Sequence, residues 1–173
     1  EEESIGFRKG KSREKAIELV REAINQGYLW VVEADIENFF PTINLAKLED
    51  LLEHYLPQKD KIFNQFIKSI IRAPYKIGET VFERQRGVPQ GHPLSPCLAN
   101  LYLDSFDEKV KALGLKLIRY ADDFLIFCKT RTEAESAVQE IEKILSGLDL
   151  KMKPDKTSIK NVTEGFQFLG YNF

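Results

Sequence analysis

Two apolar runs, Leu115–Tyr120 and Phe124–Cys128, flank the tripeptide Ala121-Asp122-Asp123. Runs of that length and composition read as strands, and so short a polar break between them reads as a hairpin with acids at its turn. A hairpin this apolar must be built into a larger sheet and covered by other elements. The segment Tyr28–Ile36, rich in β-branched and aromatic residues, supplies another buried strand, and it too ends in an acid, Asp35.

Helical patterns surround these strands. Ala16, Leu19, Val20, Ala23 and Ile24 recur at helical spacing after Ser12 and stop at Gly27. Ser12 is a candidate N-cap with Lys15 where an acid would complete a capping box. Pro41 and Asn44 break the chain after the first strand. Helices are expected near Leu45–Tyr55 and Lys59–Ile71, then a hairpin over Tyr75–Phe82 turning at Gly78-Glu79. Arg86–Pro96 is a loop dense in Gly and Pro. Further helices are expected from Ser95 to about Leu113 and from Thr132 to Leu148. Short strands are expected at Leu150–Met152 and Thr157–Val162, with an edge hairpin over Phe166–Phe173. Glu1–Glu3 read as an end segment. This strand–helix–strand order predicts an α+β fold, an antiparallel sheet backed by helices.

The 173 residues suffice for one domain with a real core. No stretch approaches the apolar length of a membrane span and no signal peptide opens the chain, so a cytoplasmic protein without a membrane partner is expected. Cys97 and Cys128 belong to no metal-binding pattern, and packing is the expected role of both. A net charge of -2 does not mark a nucleic-acid binder, but an acidic active site would offset basic binding surfaces.

Asp35 ends a strand whose Val31 and Val32 want burial, and an ionised acid there needs a partner or a metal. Asp122 and Asp123 repel each other. A bound divalent cation would account for all three, and carboxylate oxygens without His or Cys suit magnesium or manganese. Two such ions about 4 Å apart can stabilise the attacking and leaving oxygens of a phosphoryl transfer. A polar turn is the competing reading of Asp122-Asp123 taken alone.

Six ordered segments then resemble the reverse transcriptase family: Gly6–Ser12, Asp35–Phe40, Arg86–Pro96, Tyr120–Asp123, Leu150–Thr157 and Phe168–Gly170. The resemblance covers nearly the whole chain. It implies a polymerase palm with partial fingers and no thumb, a single core domain over residues 1–173. Residues of about 1–30 and 45–85 would form partial fingers and their junction, and the palm would end at the primer grip. More fingers would precede Gly6 and a helical thumb would follow Gly170, so a trimmed core is expected.

By the same resemblance, Asp35, Asp122, Asp123 and Lys156 are the catalytic candidates. Two Mg2+ ions, replaceable by Mn2+, would be held by Asp35, Ile36, Asp122 and Asp123. Lys156 would be the acid for the leaving pyrophosphate, with Lys153 its competitor. Phe40 matches a steric gate against the ribose 2′-hydroxyl, and Pro89, Gln90 and Gly91 match the pocket of the incoming dNTP. Arg8, Lys9 and Lys11, with Phe168, Leu169 and Gly170, would contact an RNA template and a DNA or RNA primer, a solvated basic loop being the competing reading of the first three. His92 stands where many relatives carry a small residue, and His54 reads as helix surface. The stretches Ala99–Asp104, Gly114–Tyr120 and Gly165–Tyr171 look most like CRISPR-associated members, which would make an adaptation integrase a partner. Group II intron proteins are the alternative. A palm-like signalling cyclase can share paired acids, but the Arg86–Pro96 and Phe168–Gly170 segments argue against it. A non-catalytic nucleic-acid-binding fragment is the third reading.

Overall fold

A computed structural model describes residues 4–173, so Glu1–Glu3 lie outside the described residues. In chain order the elements are α1 (Arg13–Asn25), β1 (Trp30–Asp35), α2 (Phe39–Thr42), α3 (Leu45–Tyr55), α4 (Lys61–Ile71), β2 (Tyr75–Ile77), β3 (Thr80–Phe82), α5 (Ser95–Ala112), β4 (Lys116–Tyr120), β5 (Asp123–Cys128), α6 (Arg131–Gly147), β6 (Ser158–Asn161), β7 (Gln167–Phe168) and β8 (Tyr171–Asn172). They form two compact units. One holds the chain up to Glu37 and from Leu103 to Phe173, and the other holds Asn38–Tyr102.

The first unit is the expected α+β layer. Its antiparallel sheet has the order β4-β5-β1-β6. Strand periodicity assigns the faces. Val31, Glu33 and Asp35 of β1 share one face with their partners Phe127, Leu125 and Asp123 of β5. At one end of that face α1 lays Ala16, Ile17, Val20 and Ala23 onto Val31, Ile118, Leu125 and Phe127, joined by Phe166 and Phe168. The end carrying Glu33, Asp35 and Asp123 is left open and lines a cavity. On the opposite face Phe106 of α5 meets Phe124 edge-on at 5.3 Å. Beyond β4, at the sheet edge, Ser4 bridges to Arg119 and the Ile5 amide donates to the Arg119 carbonyl at 2.9 Å.

Helix starts follow side-chain caps that offset the unpaired first amides. Ser12 accepts from the Lys15 amide, Asn44 from Ala46 and Lys47, Asp60 from Phe63, and Thr130 from Glu133. The Asp60 and Thr130 caps shift α4 and α6 by one or two residues from the expected starts. Three further expectations change. Phe39–Thr42 is a short helix where Pro41 suggested only a break, since proline is tolerated in a first turn whose amides are unpaired. Leu150–Met152 forms no strand; Met152 makes a single bridge to Ile36. Cys97 is exposed rather than packed, while Cys128 is buried.

The second unit joins α2, α3 and α4 to the β2–β3 hairpin and the Arg86–Pro96 loop. Leu45, Leu48 and Leu52 of α3 and Ile67 and Ile71 of α4 are buried at helical spacing. No helix among the described residues is long and apolar enough to cross a membrane.

Candidate active site

The strand register brings the first group of candidates together. Asp35 is the direct cross-strand partner of Asp123. Asp122 occupies the two-residue turn that joins β4 to β5. Like charges directly opposite one another destabilise a strand pair. Here partial burial adds to that repulsion, with Asp35 buried, Asp122 half-buried and Asp123 exposed at the rim. Asp122 is shifted above the usual carboxylate range by burial first, with the Asp35 charge adding to it. Asp123 is shifted upward by burial, then by Asp35, then by Asp122.

Lys156, in a 3-10 turn over Pro154–Lys156, answers part of this charge. Its Nζ donates to Asp35 Oδ2 at 2.5 Å, and that bond holds its own pKa above the ordinary lysine value. Lys153 Nζ lies 3.9 Å from Asp155 instead. The second carboxylate oxygen of Asp35, Oδ1, is buried with no hydrogen-bond partner among the described residues. An orphaned buried carboxylate oxygen is costly, and facing acids want a cation. No three His, Cys, Asp or Glu side chains among the described residues already converge on one point, and the ammonium of Lys156 stands beside Asp35. The donor set is hard oxygen throughout and fits a magnesium-type ion.

Ile36 is buried just beyond β1. The bonds on either side of it run from the Lys153 amide to the Asp35 carbonyl at 2.8 Å and from the Glu37 amide to the Lys151 carbonyl at 2.9 Å. Neither uses the Ile36 carbonyl. These two bonds also tie the Leu150–Thr157 segment to the end of β1, which is how Lys156 comes to sit on Asp35. A cavity of about 430 Å³ opens here, lined by Asp35, Asp123, Lys156, Glu33, Lys160 and Phe168 among others. Lys160 pairs with Glu33 at 2.6 Å across β1 and β6. Phe168 is buried, and Leu169-Gly170 form the β7–β8 turn with φ of 51° and 81°.

The basic loop of the first unit folds back on itself. Arg8 Nε donates to Ser4 Oγ at 3.1 Å and Lys11 Nζ to the Ser4 carbonyl at 3.0 Å, while Lys9 is exposed.

Phe40, Pro89, Gln90 and Gly91 belong to the second unit and form their own group. Phe39 is buried, and Phe40 beside it is half-buried. The Val88 amide donates to the Phe40 carbonyl at 3.0 Å and the Gly87 amide to the Ile43 carbonyl at 2.8 Å. Residues from two motifs nearly fifty positions apart are thereby hooked together. Ser95 donates its hydroxyl to the Pro89 carbonyl, and His92 Nδ1 accepts from the Leu94 amide at 3.2 Å, which closes the loop. Gln90 lines a second cavity of about 540 Å³ with Pro41, Val88, Tyr75, Arg84 and Arg86. Arg84 lies over the Tyr75 ring at 5.2 Å, and Tyr75 stacks on Phe82.

Sequence reasoning passed over Arg119. Its side chain is fully buried and paired with Asp107. The signal was available: a charge inside the apolar run Leu115–Tyr120 cannot be there for burial alone.

Comparison with known proteins gives one answer. The family described as "Reverse transcriptase (RNA-dependent DNA polymerase)" matches residues 1–173. Protein YkfC of Escherichia coli is 27% identical, over 97% of this chain and 54% of its own length. The group II intron-encoded protein LtrA of Lactococcus lactis is 27% identical, over 99% of this chain and 39% of its own. The chain thus spans about half or less of these relatives. Among solved structures, telomerase from Candida albicans superposes with a TM-score of 0.78 at 18% identity, over 98% of this chain and 33% of the telomerase chain, a likeness of fold.

Proposed function

The chain belongs to the reverse transcriptase family, and from that premise we propose that it is the catalytic core of an RNA-directed DNA polymerase, transferring a nucleotide from a dNTP to a primer 3′-hydroxyl on an RNA template. The observation that carries the reading is Asp35 facing Asp123 across β1 and β5 with its Oδ1 unpartnered among the described residues. Asp35, Asp122, Asp123 and the Ile36 carbonyl are the residues to hold two Mg2+ ions, for which Mn2+ can substitute. When bound, such ions supply charge stabilisation to the attacking and leaving oxygens.

The chain's own side chains set the rest. Lys156 is held protonated by Asp35 and is the proton donor for the departing pyrophosphate. Phe40 sets its ring against a ribose 2′-hydroxyl, and Pro89, Gln90 and Gly91 form the wall for the incoming base and sugar. Phe168, Leu169 and Gly170 steady the primer end, with Lys9 the exposed phosphate contact of the basic loop. Residues of about 1–30 and 45–85 contribute partial fingers and their junction with the palm, and the remainder, with the acids, is palm.

Two narrower roles are separable. Spacer acquisition from RNA beside a CRISPR adaptation integrase, in the cytoplasm, rests on the resemblance of the 99–104, 114–120 and 165–171 stretches. An intron-encoded role is favoured by the similarity to LtrA along 99% of the chain. Co-purification with an integrase, or its absence beside binding to a spliced intron RNA, distinguishes them.

The test of the activity is primer extension on an RNA template with dNTPs and Mg2+, comparing the chain with Asp122→Ala. Extension abolished by the substitution supports the reading. Equal extension by both proteins overturns it.

A further inference from the structure

Arg119 lies on the face of β4 opposite the acids' cavity, and its guanidinium is fully buried. A buried charge is tolerated only when paired and fully hydrogen-bonded. Asp107 of α5 accepts from Nε at 2.7 Å and from Nη2 at 2.5 Å, a two-pronged pair that neutralises the charge. Ser4 Oγ accepts from Nη2 at 2.7 Å. The remaining nitrogen, Nη1, donates at 2.8 Å to the carbonyl of Ala121.

That last bond has a destination of consequence. The Ala121 carbonyl belongs to the same rigid peptide plane as the Asp122 amide. Fixing one end of the plane fixes where the Asp122 Cα stands, and so the point from which its side chain leaves the backbone. The plane needs fixing, because Ala121 has a φ of 60°, which alanine rarely adopts. On its amide side the turn lies close against Gly6, where an added Cβ would stand 2.5 Å from the Ala121 nitrogen. An unfavourable turn is therefore held by Arg119 at its carbonyl, with the Gly6 backbone close against its amide.

We propose that Arg119 is a positioning residue for the acid turn: through the Ala121 carbonyl it holds Asp122 and Asp123 in the orientation that receives divalent cations. The inference rests on the reading of these acids as metal ligands.

The experiment measures Mn2+ binding to the purified chain by electron paramagnetic resonance, with thermal melting recorded for each variant. Arg119→Lys keeps a cation for Asp107 but lacks the fork that reaches Ala121 at the same time. It is expected to weaken Mn2+ binding about tenfold or more, the usual scale for losing a support behind a metal ligand. Adding Ala121→Gly to Arg119→Lys should restore most of the affinity, because glycine takes the positive φ without steric strain. A purely structural ion pair would give no such recovery. Should Arg119→Lys not fold, Asp107→Asn with and without Ala121→Gly is read the same way. Unchanged affinity in Arg119→Lys or Asp107→Asn, or a loss that Ala121→Gly leaves in place, overturns the proposal. Asp122→Ala separates the two levels. If it abolishes binding while the Arg119 variants retain it, only the positioning role fails. If it binds like the unmodified chain, or the unmodified chain binds no Mn2+, the metal-site reading fails and the proposal with it.

Discussion

Gly87→Ala tests how the candidate nucleotide pocket is held together. Gly87 has a φ of 77°, and an added Cβ would stand 2.8 Å from both the Cα and the carbonyl oxygen of Pro41 and 2.9 Å from the Phe40 oxygen. All three are backbone atoms, so no side chain can swing away. The positive φ alone costs an alanine about 1 kcal/mol. Relieving the contacts must pull the loop off α2 and break the Gly87–Ile43 and Val88–Phe40 hydrogen bonds, at ~1 kcal/mol each. The sum is about 3 kcal/mol, which at a urea dependence of ~2 kcal/mol per molar lowers the unfolding midpoint by about 1.5 M. Gly91 offers a control in the same loop. Its φ is 78°, yet an added Cβ meets nothing within 4 Å. Gly91→Ala should cost only the backbone term, about 0.5 M of urea by the same conversion. Urea titration followed by circular dichroism reads both. A Gly87→Ala shift no larger than that of Gly91→Ala would refute the packing argument.

Asp122→Asn should raise the melting temperature in the absence of metal, since burial and the Asp35 charge both penalise its ionised form. The same variant should lose the stabilisation that Mg2+ gives the unmodified chain, and scanning fluorimetry with and without Mg2+ checks both halves. The Cys128 thiol is pushed up to about 12 by burial, with the Glu133 charge adding to it, so it stays protonated in the fold at any pH well below that value. A thiol reagent at pH 8 should therefore label the exposed Cys97 alone, and a second equivalent should enter only in denaturant. Phe40→Ala should relax discrimination against ribonucleotides by about tenfold or more, measured as single-nucleotide incorporation of CTP against dCTP; unchanged discrimination would remove Phe40 from the gate.

The strands were legible because their apolar runs leave little choice of partner, and most helices because spacing and caps agreed. The acids were legible as acids, but not their pairing. That Asp35 faces Asp123, with Asp122 in the turn, is a matter of register, and register depends on contacts between strands nearly ninety residues apart. Lys156 was named from its motif, whereas its bond to Asp35 depends on the Lys153 and Glu37 amides that pin the segment to β1. Cys97 was misjudged because apolar neighbours in sequence do not share a face in the first turn of a helix. Arg8 and Lys11 read as phosphate contacts or as a solvated basic loop, and the fold adds Ser4 as an acceptor for both. Arg119 was hidden in a strand read for its hydrophobicity.

The Ser4–Ile5 segment along β4 has a consequence for solubility. β4 is an outer strand of the sheet, and an outer strand with open amides and carbonyls invites strand addition from another molecule. Ile5 is fully buried and donates its amide to Arg119, so this short stretch of chain guards that border. A version of the protein lacking residues 1–6 would expose an apolar border strand and is expected to self-associate, visible as concentration-dependent growth in light scattering.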